Sequence, residues 1–344
     1  MPAAAQRAGV GTDKLAIAAA AGRAYQAGMA SLTETILFVF GLVALGYLSG
    51  ATGFLKVETG DAVAEFAVRV ALPLLLFRTM VGADFHGAAP WAFWGAYFCA
   101  VALTWAAGHL MTTRGFGRDS RAGVVGGVTA AFSNLVLLGI PFMLGVYGQA
   151  GFEILSLLVA VHLPIMIAAS ILLFELAGKE KGSRVDLPAL ALTFLRRLTR
   201  NPLIIGIAGG LLYRATGLPL PAIAVRLVDS LANVAGPVAL FSMGLGLRKF
   251  GIARNVKAGI ALAALKLLLM PALALGTAWL FGLPPLTAKV AVAAAALPAG
   301  VNSYLIATQF GTGQALASNA MTIGTAAAVL STAFWLAIAQ AVFG

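Results

Sequence analysis

The sequence predicts an all-α polytopic membrane protein whose ten transmembrane helices form two inverted repeats of five, and three observations carry that prediction. The first is composition. Of 344 residues, 60% are hydrophobic and 10% charged, and mean hydropathy is +0.95, whereas a soluble domain covers its outside with about one-quarter charged residues. A water-soluble globular protein is excluded, and so is a disordered chain, which lacks the Leu, Val, Ile and Phe that dominate here. The second is the recurrence of apolar runs of about twenty residues, the length that crosses a bilayer core. The third is an internal repeat at one fixed offset.

Apolar windows bounded by Gly, Pro or charge fall at about 32–50, 62–81, 90–110, 123–147, 152–175, 202–215, 225–247, 257–281, 287–310 and 314–343. Residues 1–31 read as a disordered tail. Within it, Lys14 followed by a Leu- and Ala-rich stretch is a weak signal-like pattern, and Met29 is an alternative start. The spans divide five and five, as a first repeat over 32–175 and a second over 202–344. A connector, 176–201, lies between them.

Basic residues set the orientation, because the cytoplasmic side retains them. Loops after odd-numbered spans hold fourteen Lys and Arg, the opposite side seven, and Arg69 and Lys266 lie inside spans. The connector is therefore expected in the cytoplasm and both termini in the periplasm, for a chain in the inner membrane. This distribution also accounts for the net charge of +11. The cations sit in short gaps rather than on one polar face, which argues against nucleic acid as a partner. The single Cys99 and the scattered His86, His109 and His162 lack metal-ligand spacing. No cofactor is expected.

Shifting the first half by 164 residues lays Gly46-Tyr-Leu-Ser-Gly-Ala-Thr-Gly53 on Gly210-Leu-Leu-Tyr-Arg-Ala-Thr-Gly217. The same shift lays Glu65 on Asp229, Pro73 on Pro237 and Phe77 on Phe241. Five spans are an odd number, so the second half enters the membrane from the opposite side and the repeat is inverted. Inverted repeats build many secondary transporters, whose binding sites lie at the midplane where helices are interrupted. Spans four and nine carry the interruptions. Span four contains Ser133 and Asn134 with Gly139 and Pro141 beyond, and span nine contains Pro298 and Gly300 with Asn302 and Ser303 one turn later. The offset puts Asn134 opposite Pro298. Two broken helices crossing there would present N–H groups and amide side chains, and helix N-termini, carrying about +0.5 charge, favour a small anion. Ser133, Asn134, Gly139, Pro141, Pro298, Gly300, Asn302 and Ser303 are the candidate binding residues. In the competing reading these prolines only kink packed helices and the Asn side chains bond neighbouring helices.

These segments also carry a resemblance. SNLVLLGIPFMLGVYG (Ser133 to Gly148), RNPLIIGIAGGLLY (Arg200 to Tyr213), GPVALFSMGLGL (Gly236 to Leu247) and ALPAGVNSYLIATQFG (Ala296 to Gly311) make the chain, over about 32–343, resemble the auxin efflux carrier family. These are bacterial relatives of the plant PIN-formed carriers, some described as malonate or other dicarboxylate transporters. The resemblance implies a fold like that of the bile acid symporters and sodium/proton antiporters. Helices 1, 2, 6 and 7 would form a scaffold, helices 3, 4, 5, 8, 9 and 10 a moving transport unit, and crossed helices 4 and 9 would hold the substrate. It also implies a homodimer. Plant members carry Pro directly before the Asn of helix four, where this chain has Ser133, which predicts a milder break or one shifted towards Gly139 and Pro141.

Charges inside the spans complete the candidates. Glu65 and Arg69, spaced i, i+4, are expected to pair along one face, and Asp229 is expected in a similar structural pair, with Arg226 one turn before it and Asn233 one turn after. Lys266 lies about nine residues into its span, roughly 13 Å deep. It either snorkels to the cytoplasmic surface or faces the cavity and offsets a carboxylate or replaces a coupling cation. His162, beside Pro164, is a candidate for proton coupling or simply bonds a backbone carbonyl.

The function expected is a secondary transporter, an efflux carrier for a small organic carboxylate such as an auxin-like acid or malonate. Its partners are that anion and membrane lipid. No G-x-x-x-x-G-K-[ST] loop occurs, so direct ATP coupling is not indicated. A passive anion channel or a membrane receptor is the alternative, and an intramembrane hydrolase built on Ser133 and His162 is remote, because no third group orients the histidine.

Overall fold

The computed structural model describes residues 32–84, 90–178, 201–250 and 256–344, with Pro188, Leu192, Leu195, Arg196, Thr199 and Arg200 between them. The tail 1–31, most of the 176–201 connector, and His86 lie outside the described residues. Apart from one isolated bridge, the described residues are all-helical.

In chain order, α1 is Leu32–Ala51. Helix α2 covers 57–81 and contains a π-helical turn at Ala67–Ala71, and α3 covers 90–115 and ends in another at Met111–Gly115. Span four is two segments, α4 (Ser120–Ala131) and α5 (135–147), and α6 covers 149–178. In the second half α7 is Pro202–Ala215, α8 is Ala222–Leu247 with a turn at Asn233 and Val234, and α9 is Val256–Leu280. Span nine is again two segments, α10 (Pro285–Ala296) and α11 (Val301–Gln309), and α12 is Gln314–Phe343.

Local chemistry explains the ends. Asp119 accepts from the Ala122 N–H at 2.8 Å and starts α4 three residues before its apolar run. Asn201 accepts from the Leu203 N–H at 3.0 Å ahead of Pro202 and starts α7. Gly148, at φ 62°, kinks the chain between α5 and α6 in a conformation that L side chains resist. The π turn at Leu265–Leu269 in α9 precedes Pro271, which cannot donate to the Leu267 carbonyl. Ser331 Oγ (2.7 Å) and Trp335 Nε1 (2.8 Å) donate to that carbonyl instead and tie α9 to α12.

Helices pack most closely in two groups. In one, α2 lies on α7 and α8, and α1 meets α8 through glycine. In the other, α3 lies on α4 and α9, while α9, α10 and α12 pack together. In the first group Gly46 abuts the backbone of Phe241 and Gly210 abuts the backbone of Phe77, so that a Cβ at either would overlap its neighbour. Small residues allow such approaches between apolar helices. Lys249 pairs with Asp61 and fastens the end of α8 to α2.

Five helical stretches among the described residues are long and apolar enough to cross a membrane: α1, the run from α5 into α6, α8, α9 and α12. Spans four and nine fall short of that length as single helices because each is broken in the middle.

Candidate functional site

The two breaks meet. After α4 ends, Phe132 is extended (φ −86°, ψ 99°), and after α10 ends, Leu297 is extended (φ −64°, ψ 148°). The Asn134 N–H donates to the Pro298 carbonyl and the Gly300 N–H to the Phe132 carbonyl, each at 3.0 Å, which makes an antiparallel bridge centred on Ser133 and Ala299. Backbone groups freed by the breaks thus satisfy each other, as membrane-buried peptide groups must. The break in span four therefore lies at 132–134. It is not shifted to Gly139 or Pro141: Gly139 sits inside the π turn that opens α5 and its N–H bonds the Asn134 carbonyl at 2.9 Å.

A cavity of about 20 Å³ opens beside the bridge, lined by Ser133, Asn134, His162 and Asn302 with Phe132 and Val159 among the apolar walls. That volume is room for about one water. Helices α5 and α11 both begin here, so two positive helix ends converge on it. Their opposites, the ends of α4 and α10, carry partial negative charge, and Lys266 covers one of them: its Nζ donates to the Ala295 carbonyl at 2.5 Å, in the last turn of α10. Lys266 is 1% exposed, so it does not snorkel.

Each polar side chain at the crossing has its own environment. Ser133 Oγ accepts from the Tyr97 hydroxyl at 2.9 Å and lies 4.0 Å from the Met270 sulfur. Asn134 Nδ2 donates to the Met243 sulfur of α8 at 3.3 Å, the link from the crossing to the first helix group. His162 is buried among rings, with Phe132 at 4.9 Å, Tyr97 at 5.7 Å and Phe98 at 6.2 Å between centroids. Neither of its ring nitrogens makes a well-formed hydrogen bond among the described residues, although the Ser133 backbone approaches the ring on the side of the crossing.

Other candidates lie elsewhere or serve the backbone. Pro298 contributes its carbonyl to the bridge, and the Ser303 hydroxyl donates to the Gly300 carbonyl at 2.8 Å within the first turn of α11. Gly139 faces Leu297. Pro141 lines a different cavity of about 540 Å³ between α1, α2, α5 and α8, with Glu34, Thr35, Arg78, Asn233 and Leu240. Glu65 and Arg69 pair at 2.9 Å on an exposed face. Asp229 pairs with Arg78 of α2 at 3.1 Å, not with Arg226, and Arg78 also donates to Asn233 at 2.8 Å. Arg78 reads in the sequence as one more loop cation, and its partner is decided by α2 packing on α8.

Sequence reasoning missed Tyr97, Met243, Met270 and Glu153. Tyr97 carried a signal, since a hydroxyl in mid-span needs a partner. So did Glu153, a carboxylate at the start of span five: it is 4% exposed and accepts from the Asp84 N–H at 2.9 Å. The two thioethers carried none.

An all-helical, multi-pass membrane protein with two interrupted helices bonded break to break is built as carriers with midplane sites are built. The family model described as "Membrane transport protein" matches residues 31–336, and the chain belongs to that family, the auxin efflux carriers. It is 30% identical to a Rhizobium meliloti protein provisionally named a malonate transporter, over 86% of this chain and 92% of that one. It is 26% identical to an uncharacterized transporter of Methanothermobacter thermautotrophicus, over 88% of this chain and 97% of that one. It is also 25% identical to auxin efflux carrier component 8 of Arabidopsis thaliana, over 63% and 71% respectively.

Proposed function

We propose that this protein is a secondary transporter, an efflux carrier that moves a small organic carboxylate, auxin-like or a dicarboxylate such as malonate, across the inner membrane by alternating access. The observation that carries the reading is the polarity of the crossing. Two helix N-termini, Asn134 and Asn302 meet in a buried cavity, and the negative end of α10 is covered by Lys266. The balance left over favours an anion. Ser133 and Asn302 would bond the carboxylate, Lys266 would offset its charge, and His162 is the group through which a proton could be linked. A cavity of about 20 Å³ holds one water rather than a malonate, so admission requires the two helix groups to part.

The proposed architecture is ten spans in two inverted repeats, with both termini periplasmic and the connector cytoplasmic. Its support is a swap of contacts under the 164-residue shift. The shift turns the pair Gly46 and Phe241 into Gly210 and Phe77, and it maps Asn134 and Pro298 onto each other. The proposed scaffold of helices 1, 2, 6 and 7 corresponds to α1, α2, α7 and α8, the first packing group. Export of an anion from a negative interior gains about 2.3 kcal/mol per charge per 100 mV. Efflux therefore needs no coupling ion.

The test is uptake of labelled malonate and of an auxin-like acid into proteoliposomes. Asn134→Ala and Asn302→Ala are each expected to abolish saturable uptake while cooperative melting persists; unaltered transport in both would remove the crossing as the site. Uptake that rises linearly with concentration in the unmodified protein would favour a passive pore instead. A melting temperature raised by one acid in a panel identifies the substrate, because ligand that binds only the folded state stabilises it.

A further inference from the structure

A cavity of about 1010 Å³ shares no lining residue with the one at the crossing, which it adjoins where its wall residue Phe98 stacks on His162. It runs between α3, α4 and α6 and is walled by Trp94, Phe98, Trp105, Val124, Met166 and Leu173. Its walls are almost entirely apolar up to one end, where Leu110 and Ser120 line it beside His109. That end lies at the 114–121 loop. Arg114 stands one turn beyond Leu110 along α3, and Arg121 follows Ser120 in the first turn of α4. The Arg121 guanidinium is held over the Phe174 ring of α6, 5.2 Å from its centroid, and Phe174 is itself stacked on Phe310. Both arginines are exposed, and neither makes a salt bridge among the described residues. Two carboxylates are near: Asp119, whose oxygen is committed to the Ala122 N–H, and Glu175, beside Phe174 on α6. Arg118 belongs to a separate cavity with Lys257.

We propose that this groove seats an anionic phospholipid, with acyl chains along Trp94, Phe98 and Trp105 and the phosphate headgroup on Arg114 and Arg121. The argument is complementarity along the length of the groove. Its interior offers an acyl chain apolar walls with hardly a polar group, and the loop adjoining its Ser120 end carries Arg114 and Arg121, both exposed and without a salt bridge among the described residues, with Arg121 held over Phe174 next to the wall residue Leu173. Arginine forks match phosphate oxygens bidentately, and basic pockets between transmembrane helices select anionic headgroups. A zwitterionic lipid would fill the same groove but bring its own cation to the arginines. The site involves none of the crossing residues, so it stands or falls independently of the transported substrate.

The full-length protein in detergent, titrated with phosphatidylglycerol or phosphatidylcholine of matched chains and followed by native mass spectrometry, tests this. The first adduct is expected at about tenfold lower concentration for phosphatidylglycerol, from the charge contributed by two arginines. In the double variant Arg114→Gln, Arg121→Gln the preference should vanish while phosphatidylcholine binding is unchanged. Ala106→Phe, which fills the groove, should weaken both lipids. Lys257→Gln should leave the preference intact. Equal binding of the two lipids by the unmodified protein overturns the proposal, and so does a preference that survives the double variant or that falls as far in Lys257→Gln. Melting temperature monitors folding throughout.

Discussion

The two interrupted spans make the same bridge with different means. In span nine the break has a local cause: Pro298 removes a donor and Gly300 follows. Span four has no Pro or Gly at 132–134, yet Phe132 to Asn134 leave the helix because Pro298 and Gly300 supply hydrogen-bond partners from the other half. The poles differ as well. The end of α10 accepts a hydrogen bond from a buried ammonium, whereas the end of α4 lies among Tyr97, Phe132 and His162, with no ammonium bonded to it among the described residues. Near-symmetry of backbone with asymmetry of side chains teaches that geometry and charge are specified separately here. One half supplies the break and the cation, and the other supplies the hydrogen-bonding surface.

Lys266→Met tests the charged pole and should have the largest effect. The apolar chain fills the same space, so folding is retained, while the half-saturating concentration of a carboxylate should rise about tenfold or more, equal to at least about 1.4 kcal/mol. Equal affinity would make the lysine a cap for α10 and nothing further. His162→Phe tests the other pole. The apolar ring keeps the packing against Phe132, Tyr97 and Phe98, so cooperative melting should persist, and if the imidazole is kept for coupling, transport should fall. A lower melting temperature would reveal that the imidazole is satisfied.

Ser133→Ala leaves the Tyr97 hydroxyl buried without an acceptor and should destabilise by about 1–3 kcal/mol, whereas adding Tyr97→Phe should recover most of that. Thermal unfolding of the single and double variants reads the coupling, and additive losses would dissociate the hydroxyl pair from the break. Asp229→Asn should have the smallest effect, under about 1 kcal/mol, since its pair with Arg78 is half exposed. A larger loss would mean that this pair, rather than glycine packing, holds α2 against α8.

Legibility followed locality. The apolar windows 202–215 and 314–343 placed α7 and α12 at the ends the sequence reading assigned, because hydropathy acts within a few residues. Asn134 was matched to Pro298 by the offset alone, and the two are hydrogen-bonded. The break in span four was less legible: from the sequence it read as mild or shifted, because its cause lies some 164 residues away. The cavity residue Asn302 could be nominated by type, but Gly139 and Pro141 look equally eligible in a linear reading and face Leu297 and a different cavity. Side-chain direction around a helix that packs on several neighbours is not encoded within one span.

Composition and hydropathy alone determined that lipid is the solvent and where the apolar helical stretches lie, since both depend on residues close together in the chain. Tertiary packing decided the rest: that Lys266 points inward to a carbonyl of α10, that Asp229 takes Arg78, and that Ser133 answers to Tyr97. The reason is that a polar group in a dry interior takes whichever partner the neighbouring helices bring within reach, and which helices are neighbours is a property of the folded chain.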